Sequence, residues 1–278
     1  MTEAQVFSRQ WAPPSGVLGR ILAEAVERVD AIPPREREAI VSRAESVERV
    51  PSFVDAMRGS TVAIIAEVKR RSPSKGSIRE AMAAELQGEA YERGGASAIS
   101  VLTEPAHFGG SLADLESTRA RVAIPLLRKD FHVDELQLYE ARSAGASAVL
   151  LIVRALPPER LAALMEAAAQ LELEALVEAH TQSELALAIE LGARVIGINS
   201  RNLETLELDA SVPERLLALI PSGAIAIAES GISTRADVEG RAAWGADAVL
   251  VGSALSAAGD PETAVRTLSG VPRRVRAR

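Results

Sequence analysis

VAIIAEVK, at residues 62–69, is an apolar, β-branched run that closes on two ionisable residues, Glu67 and Lys69. Such a short run reads as a strand buried on both faces. Side chains alternate along a strand, so Glu67 and Lys69 share one face, which Ala63 and Ile65 continue inward. Seven similar runs follow: SAISVLT from Ser97, VAIPLLRK from Val122, SAVLLIV from Ser147, LEALVEA from Leu173, RVIGINS from Arg194, AIAIAES from Ala224 and DAVLVGS from Asp247. Helical segments separate them. Glycine-alanine pairs (Gly95-Ala96, Gly145-Ala146, Gly192-Ala193, Gly245-Ala246) precede several runs, each fitting a helix C-cap that turns into the next strand. Buried strands alternating with helices specify an α/β fold with a parallel sheet, and eight units in about 200 residues fit a (β/α)8 TIM barrel. An open, doubly wound sheet would want G-x-G-x-x-G after the first strand, and RRSPSKG does not supply it.

The residues before this repeat predict helices. Ser15 is placed to cap an amphipathic run through Val17, Leu18, Ile21, Leu22 and Val26, which Pro33-Pro34 ends. A second helix is expected from about Arg35 to Val47. Ser52 with Asp55 resembles a capping box for a short helix ending at Gly59. The expected organisation is an N-terminal helical extension over 1–60, the barrel over 61–268 and a frayed basic tail over 269–278.

Composition narrows the function. The chain of 278 residues has a net charge of −7, which disfavours a basic footprint for nucleic acid. It contains no cysteine, which excludes disulfides, thiolate nucleophiles and sulfur-ligated metals. The opening MTEAQVFSRQWAPPSG lacks the pattern of a secretory leader, and no apolar stretch reaches the ~18 residues of a membrane span, so a cytoplasmic location is expected. Of the 31 Lys and Arg residues only Lys69, Lys75 and Lys129 are lysines. Where arginine serves as the general cation, a retained lysine marks a need for a compact ammonium that can release its proton.

Active sites of such barrels lie at the carboxyl ends of the strands. There the sequence places Glu67 and Lys69, then Lys129, Glu178, Asn199 and Glu229-Ser230. Two of three lysines thus face a common mouth with three glutamates, a set suited to acid–base chemistry. Lys75 reads as a loop cation away from that mouth. His107, His132 and His180 follow strands without metal-ligand spacing and read as loop or rim residues. Ser230-Gly231 and Gly252-Ser253 follow the seventh and eighth strands, the usual barrel phosphate site, with Ser72 and Ser74 as further hydroxyl donors.

IAEVKRRSPSKG, LTEPAHFGGSLADL, LLRKDF, VEAH, IGINSRNL, IAESGI and VLVGSAL resemble, in this order, the strand-end motifs of indole-3-glycerol phosphate synthases. The resemblance implies catalytic roles for Glu67, Lys69, Lys129, Glu178, Asn199, Glu229 and Ser230. It implies phosphate binding by Ser72, Gly231, Gly252 and Ser253, and places Arg201, Phe108 and Phe131 near the anthranilate part of the substrate. The implied reaction turns 1-(2-carboxyphenylamino)-1-deoxyribulose 5-phosphate into indole-3-glycerol phosphate, CO2 and water, in tryptophan biosynthesis, with no metal and no organic cofactor. Lys129 is expected as the acid for ring closure, its pKa lowered among other cations, and Glu178 as the base for dehydration. Lys69 binds the carboxylate or serves as a second acid. The expected partner is a small phosphorylated substrate, not nucleic acid or membrane. Homo-oligomers and association with other pathway enzymes are left open. A phosphoribosylanthranilate isomerase would call for a catalytic cysteine, which is missing, and a non-enzymatic scaffold would have shed the ionisable mouth.

Overall fold

The computed structural model describes residues 13–14 and 16–276. Three helices precede the first strand: α1 (Gly16–Asp30), α2 (Pro34–Ser46) and α3 (Phe53–Ala56). The cap expected at Ser15 lies outside the described residues. α1 buries Leu18, Ile21, Leu22, Ala25 and Val29 along one face. α2 starts with proline in its first turn, where the missing N–H has no intrahelical partner to lose. At α3, Ser52 Oγ accepts the Asp55 N–H (3.1 Å) as an N-cap, although the helix stops at Ala56 rather than Gly59. Glu174 grips the same turn, accepting from Val54 N (2.7 Å) and Ser52 Oγ (3.0 Å), and ties it to the barrel.

Eight parallel strands close into a barrel: β1 (Ala63–Val68), β2 (Ala98–Leu102), β3 (Leu126–Lys129), β4 (Ala148–Ile152), β5 (Glu174–Ala179), β6 (Val195–Asn199), β7 (Ile225–Glu229) and β8 (Ala248–Val251). β1 pairs with β8 through Ile65↔Leu250 and with β2 through Glu67↔Ser100, which shuts the ring. The main covering helices are α4 (Ala84–Arg93), α6 (Leu112–Arg119), α7 (Glu135–Ser143), α8 (Pro158–Gln170), α9 (Gln182–Glu190), α10 (Ser211–Leu216), α11 (Arg235–Ala243) and α13 (Pro261–Leu268). Single-turn helices α5 (Pro105–Phe108) and α12 (Ser253–Ser256) sit in the loops after β2 and β8. No helix among the described residues is long and apolar enough to cross a membrane.

The Gly-Ala pairs do what their sequence suggests. Gly95, Gly145, Gly192 and Gly245 have φ of +93°, +81°, +78° and +97°. Each following alanine donates its N–H back to the last turn: Ala96 to Tyr91 O, Ala146 to Ala141 O, Ala193 to Ala188 O and Ala246 to Arg241 O. These are Schellman closures, in which glycine adopts the left-handed conformation at little steric cost.

The C-terminal segment is docked through Arg276, not frayed. Val62 N donates to Val271 O (2.8 Å), and Arg273 N donates to Ser60 O (3.0 Å). Arg276 reaches under the barrel to Asp247 Oδ2 (2.7 Å) and the carbonyls of Gly245 and Ala224. Arginines that read as a solvated basic run satisfy the carbonyls and the carboxylate at the amino ends of β7 and β8.

Candidate active site

The strand ends converge on a cavity of about 410 Å³. Every residue singled out above for catalysis, phosphate binding or aromatic contact lines it: Glu67, Lys69, Ser72, Phe108, Lys129, Phe131, Glu178, Asn199, Arg201, Glu229, Ser230, Gly231, Gly252 and Ser253. Lys75 lines it too, so this cation belongs to the mouth rather than standing away from it.

Lys129 stands at the centre. Its Nζ is 2.9 Å from Glu229 Oε2 and 3.3 Å from Glu178 Oε2. Burial alone would lower the ammonium's pKa, but Glu229, Glu178 and Glu67 outweigh it and hold the group above its ordinary range. This corrects the lowered value expected from neighbouring cations: the near neighbours are carboxyl groups. Burial, aided by Glu178 and opposed by Lys129, pushes Glu229 up to about 8. Glu178 moves the other way: burial opposes its charge, but Lys129, His180 and Asn199 hold it below the ordinary carboxyl range. Two buried carboxylates sharing one ammonium therefore divide into a charged Glu178 and a protonated Glu229 near neutral pH.

Asn199 is oriented by its own loop. Its Oδ1 accepts the Arg201 N–H (2.9 Å), which turns the amide NH2 toward Glu178. Lys69 Nζ pairs with Glu67 Oε1 at 2.7 Å. The end of β1 is fixed behind them, because the Glu67 carbonyl accepts from Tyr91 Oη (3.1 Å) and Ser256 Oγ (2.9 Å).

Two interior positions are glycine because carboxylates occupy their space. A methyl group at Gly197 would overlap Glu229 Oε1, and one at Gly252 would overlap Glu67 Oε1. Beside Gly252, Ser253 opens α12, and both residues line the cavity. Ser230 and Gly231 both have positive φ, +66° and +68°; for a serine this is a strained conformation of the kind that persists at functional sites.

The opposite end of the cavity is apolar. Phe108 and Phe131 stand with ring centroids 6.1 Å apart, tilted by 38°. Val17, Leu18 and Ile21 of α1 and Leu203, Leu206 and Leu208 of the loop after β6 also line the cavity, Leu208 beside Gly231. Sequence reading missed their role. The apolar stripe of α1 was visible, but not the surface it covers.

The histidines correct the rim assignment in two of three cases. His132 is buried, with Nδ1–H donating to Leu150 O (2.8 Å), and burial and Arg128 push it down to about 4, so it is neutral. His180 is buried between Glu178 (3.3 Å) and Glu184 (3.4 Å), close enough for charge attraction but poorly aligned for hydrogen bonds. His107 is partly exposed and pairs with Glu24 at 2.8 Å. It lies near Glu24 and Glu104, but Glu104 already accepts three backbone N–H groups, as a helix cap does.

A family model described as indole-3-glycerol phosphate synthase matches residues 18–268, nearly the whole described chain. The chain belongs to the indole-3-glycerol phosphate synthase family. Relatives bearing that name include one from Streptomyces coelicolor, 49% identical over 84% of this chain and 89% of the relative. Another, from Micrococcus luteus, is 45% identical over 92% of this chain and 99% of the relative. Solved structures share the fold at low identity. A 3-hexulose-6-phosphate synthase from Salmonella typhimurium gives a TM-score of 0.61 at 16% identity, covering 75% of this chain and 97% of that one. A thiamine phosphate pyrophosphorylase from Pyrococcus furiosus gives 0.56 at 18%, covering 76% and 95%. These two carry the barrel alone; the family rests on the sequence matches.

Proposed function

We propose that the chain is a carboxy-lyase that converts 1-(2-carboxyphenylamino)-1-deoxyribulose 5-phosphate to indole-3-glycerol phosphate, CO2 and water, within tryptophan biosynthesis in the cytoplasm. One observation carries the reading: an ammonium between two carboxyl groups stands in a single cavity between a glycine-serine loop end and a phenylalanine wall. A substrate with a phosphate at one end, an aromatic ring at the other and a ketone between them matches that order.

In this reading backbone N–H groups at Gly231, Gly252 and Ser253, with Ser72, hold the phosphate. Phe108, Phe131 and Arg201 hold the anthranilate ring and its carboxylate. The ring carbon that bears the carboxylate attacks the ketone carbon, and the ketone oxygen takes a proton. Lys129 donates it, and the protonated Glu229 beside it restores the ammonium. Because its carboxylate neighbours keep Lys129 charged, its first contribution is to stabilise negative charge as it grows on that oxygen. Loss of CO2 restores the aromatic ring. Dehydration then removes the new hydroxyl as water and a proton from the methylene carbon, with Glu178 as base and Lys69 protonating the departing hydroxyl. Residues 61–268 form the catalytic barrel, 1–60 an extension whose α1 lines the cavity, and 269–278 a tail.

Indole fluorescence rising on addition of the anthranilate-ribulose substrate to the purified chain tests the activity. A flat trace at micromolar enzyme would refute it.

A further inference from the structure

Arg28, in the last turn of α1, does not line the cavity, yet its guanidinium spans two buried carboxylates, one after β2 and one after β3. Nη1 lies 3.4 Å from Glu104 Oε1, and Nη2 lies 3.1 Å from Asp130 Oδ1. Both carboxylates are buried. Each also accepts the backbone N–H of one of the two cavity phenylalanines. Glu104 accepts from Ala106 (2.9 Å), His107 (2.7 Å) and Phe108 (3.0 Å), capping the turn that carries Phe108. Asp130 accepts from Phe131 N (2.8 Å). The chain of contacts therefore runs from the Phe108 backbone through Glu104, Arg28 and Asp130 to the Phe131 backbone. One turn earlier in α1, Glu24 holds His107 of the same turn at 2.8 Å.

The two carboxylates differ in their other support. Asp130 also accepts from Thr103 Oγ1 (2.6 Å) and pairs with Arg128 (3.3 Å). Arg28 is the cation within ion-pair distance of Glu104 among the described residues. Without it, Glu104 would keep only its backbone N–H partners, and the Phe108 turn would be tied to β3 only at its root, through Thr103 to Asp130 and the Lys129 carbonyl. Here the two Nη groups of a planar fork each face a different carboxylate, a geometry that a compact ammonium does not reproduce.

We infer that Arg28 is a positioning residue that sets the gap between Phe108 and Phe131 from outside the cavity, and so governs affinity for the aromatic end of the substrate. The inference rests on the reading of that end given above. It separates two jobs within one extension: α1 covers the cavity with Val17, Leu18 and Ile21, and spaces its aromatic wall with Arg28.

The test compares wild type with Arg28→Met, which keeps the aliphatic bulk, and Arg28→Lys, which keeps the charge but loses the two-pronged fork. Steady-state kinetics are read together with inhibition by anthranilate and by inorganic phosphate. Arg28→Met is expected to raise KM about tenfold, ~1.4 kcal/mol of binding, with kcat within about threefold. Anthranilate inhibition weakens in step, inorganic phosphate inhibition stays unchanged, and Arg28→Lys falls between. If Arg28→Met does not fold, the lysine variant carries the same comparison. Unchanged KM, or equal weakening of anthranilate and phosphate, would overturn the inference. Wild type that fails to turn over substrate would sink the proposed activity instead, while anthranilate binding would still report on the spacing.

Discussion

Lys129 on β3 and Glu229 on β7 stand four strands apart in a ring of eight, yet their charged atoms meet at 2.9 Å across the barrel. Side chains from opposite walls reach each other because a strand between Glu229 and Glu178 gives up its own. Gly197 of β6, flanked by β5 and β7, leaves the space that Glu229 Oε1 fills.

Gly197→Ala should therefore displace Glu229 and lower turnover sharply, with overpacking that costs about 1–3 kcal/mol. Gly240, inside α11, faces open space. Gly240→Ala should leave turnover unchanged and stabilise the chain by about 0.5–1 kcal/mol, since alanine is the better helix former. Thermal denaturation of the pair checks both signs. Equal behaviour of the two variants would contradict the packing.

The protonation of Glu229 makes a pH prediction. Its folded pKa of about 8 lies above the ordinary 4.5, so the folded chain binds this proton more tightly than the unfolded chain. The stability it contributes is full below about pH 4.5 and is lost as pH rises through 8. If the neutral carboxyl resupplies Lys129, kcat/KM should fall on the basic side with a midpoint near the same value. Glu229→Gln keeps a neutral group but cannot titrate. It should flatten the decline in stability across that window and remove the basic limb from whatever activity remains. A basic limb that persists unchanged in the variant would assign it to another group.

Ser253 opens α12 and lines the cavity beside Gly252. Ser253→Asp places negative charge where a phosphate is proposed to sit, and should raise KM strongly while leaving folding intact. An unchanged KM would move the phosphate elsewhere in the cavity.

What was legible in the sequence follows from what periodicity encodes. The eight strands were readable because a parallel barrel buries both faces, which leaves continuous apolar runs such as Val149-Leu150-Leu151-Ile152, all buried. The mouth was readable because an ionisable residue at the end of such a run has no packing reason to be there, as with Glu178 after Leu176-Val177. The sign of the Lys129 shift was not readable. It depends on which charges stand across the barrel, and Glu229 is 100 residues away in the chain. The docking of Arg276 was hidden for a similar reason: a basic run looks solvated until the carbonyls of Ala224 and Gly245 and the Asp247 carboxylate are brought beneath it. The roles of Arg28 and of the apolar face of α1 likewise need the packing of the extension on the barrel.

The most direct test of the central claim is a single-turnover measurement on Lys129→Arg with saturating enzyme, followed by indole fluorescence. Arginine keeps the positive charge between Glu178 and Glu229 but has almost no transferable acidity at any working pH. If Lys129 protonates the ketone oxygen, substrate should still bind, while the chemical step slows about 10²- to 10⁴-fold, the usual share of general-acid catalysis. A Lys129→Arg chain that closes the ring at near the wild-type rate would show that charge alone suffices, and would shift the proton-donating role to another group, with Lys69 first.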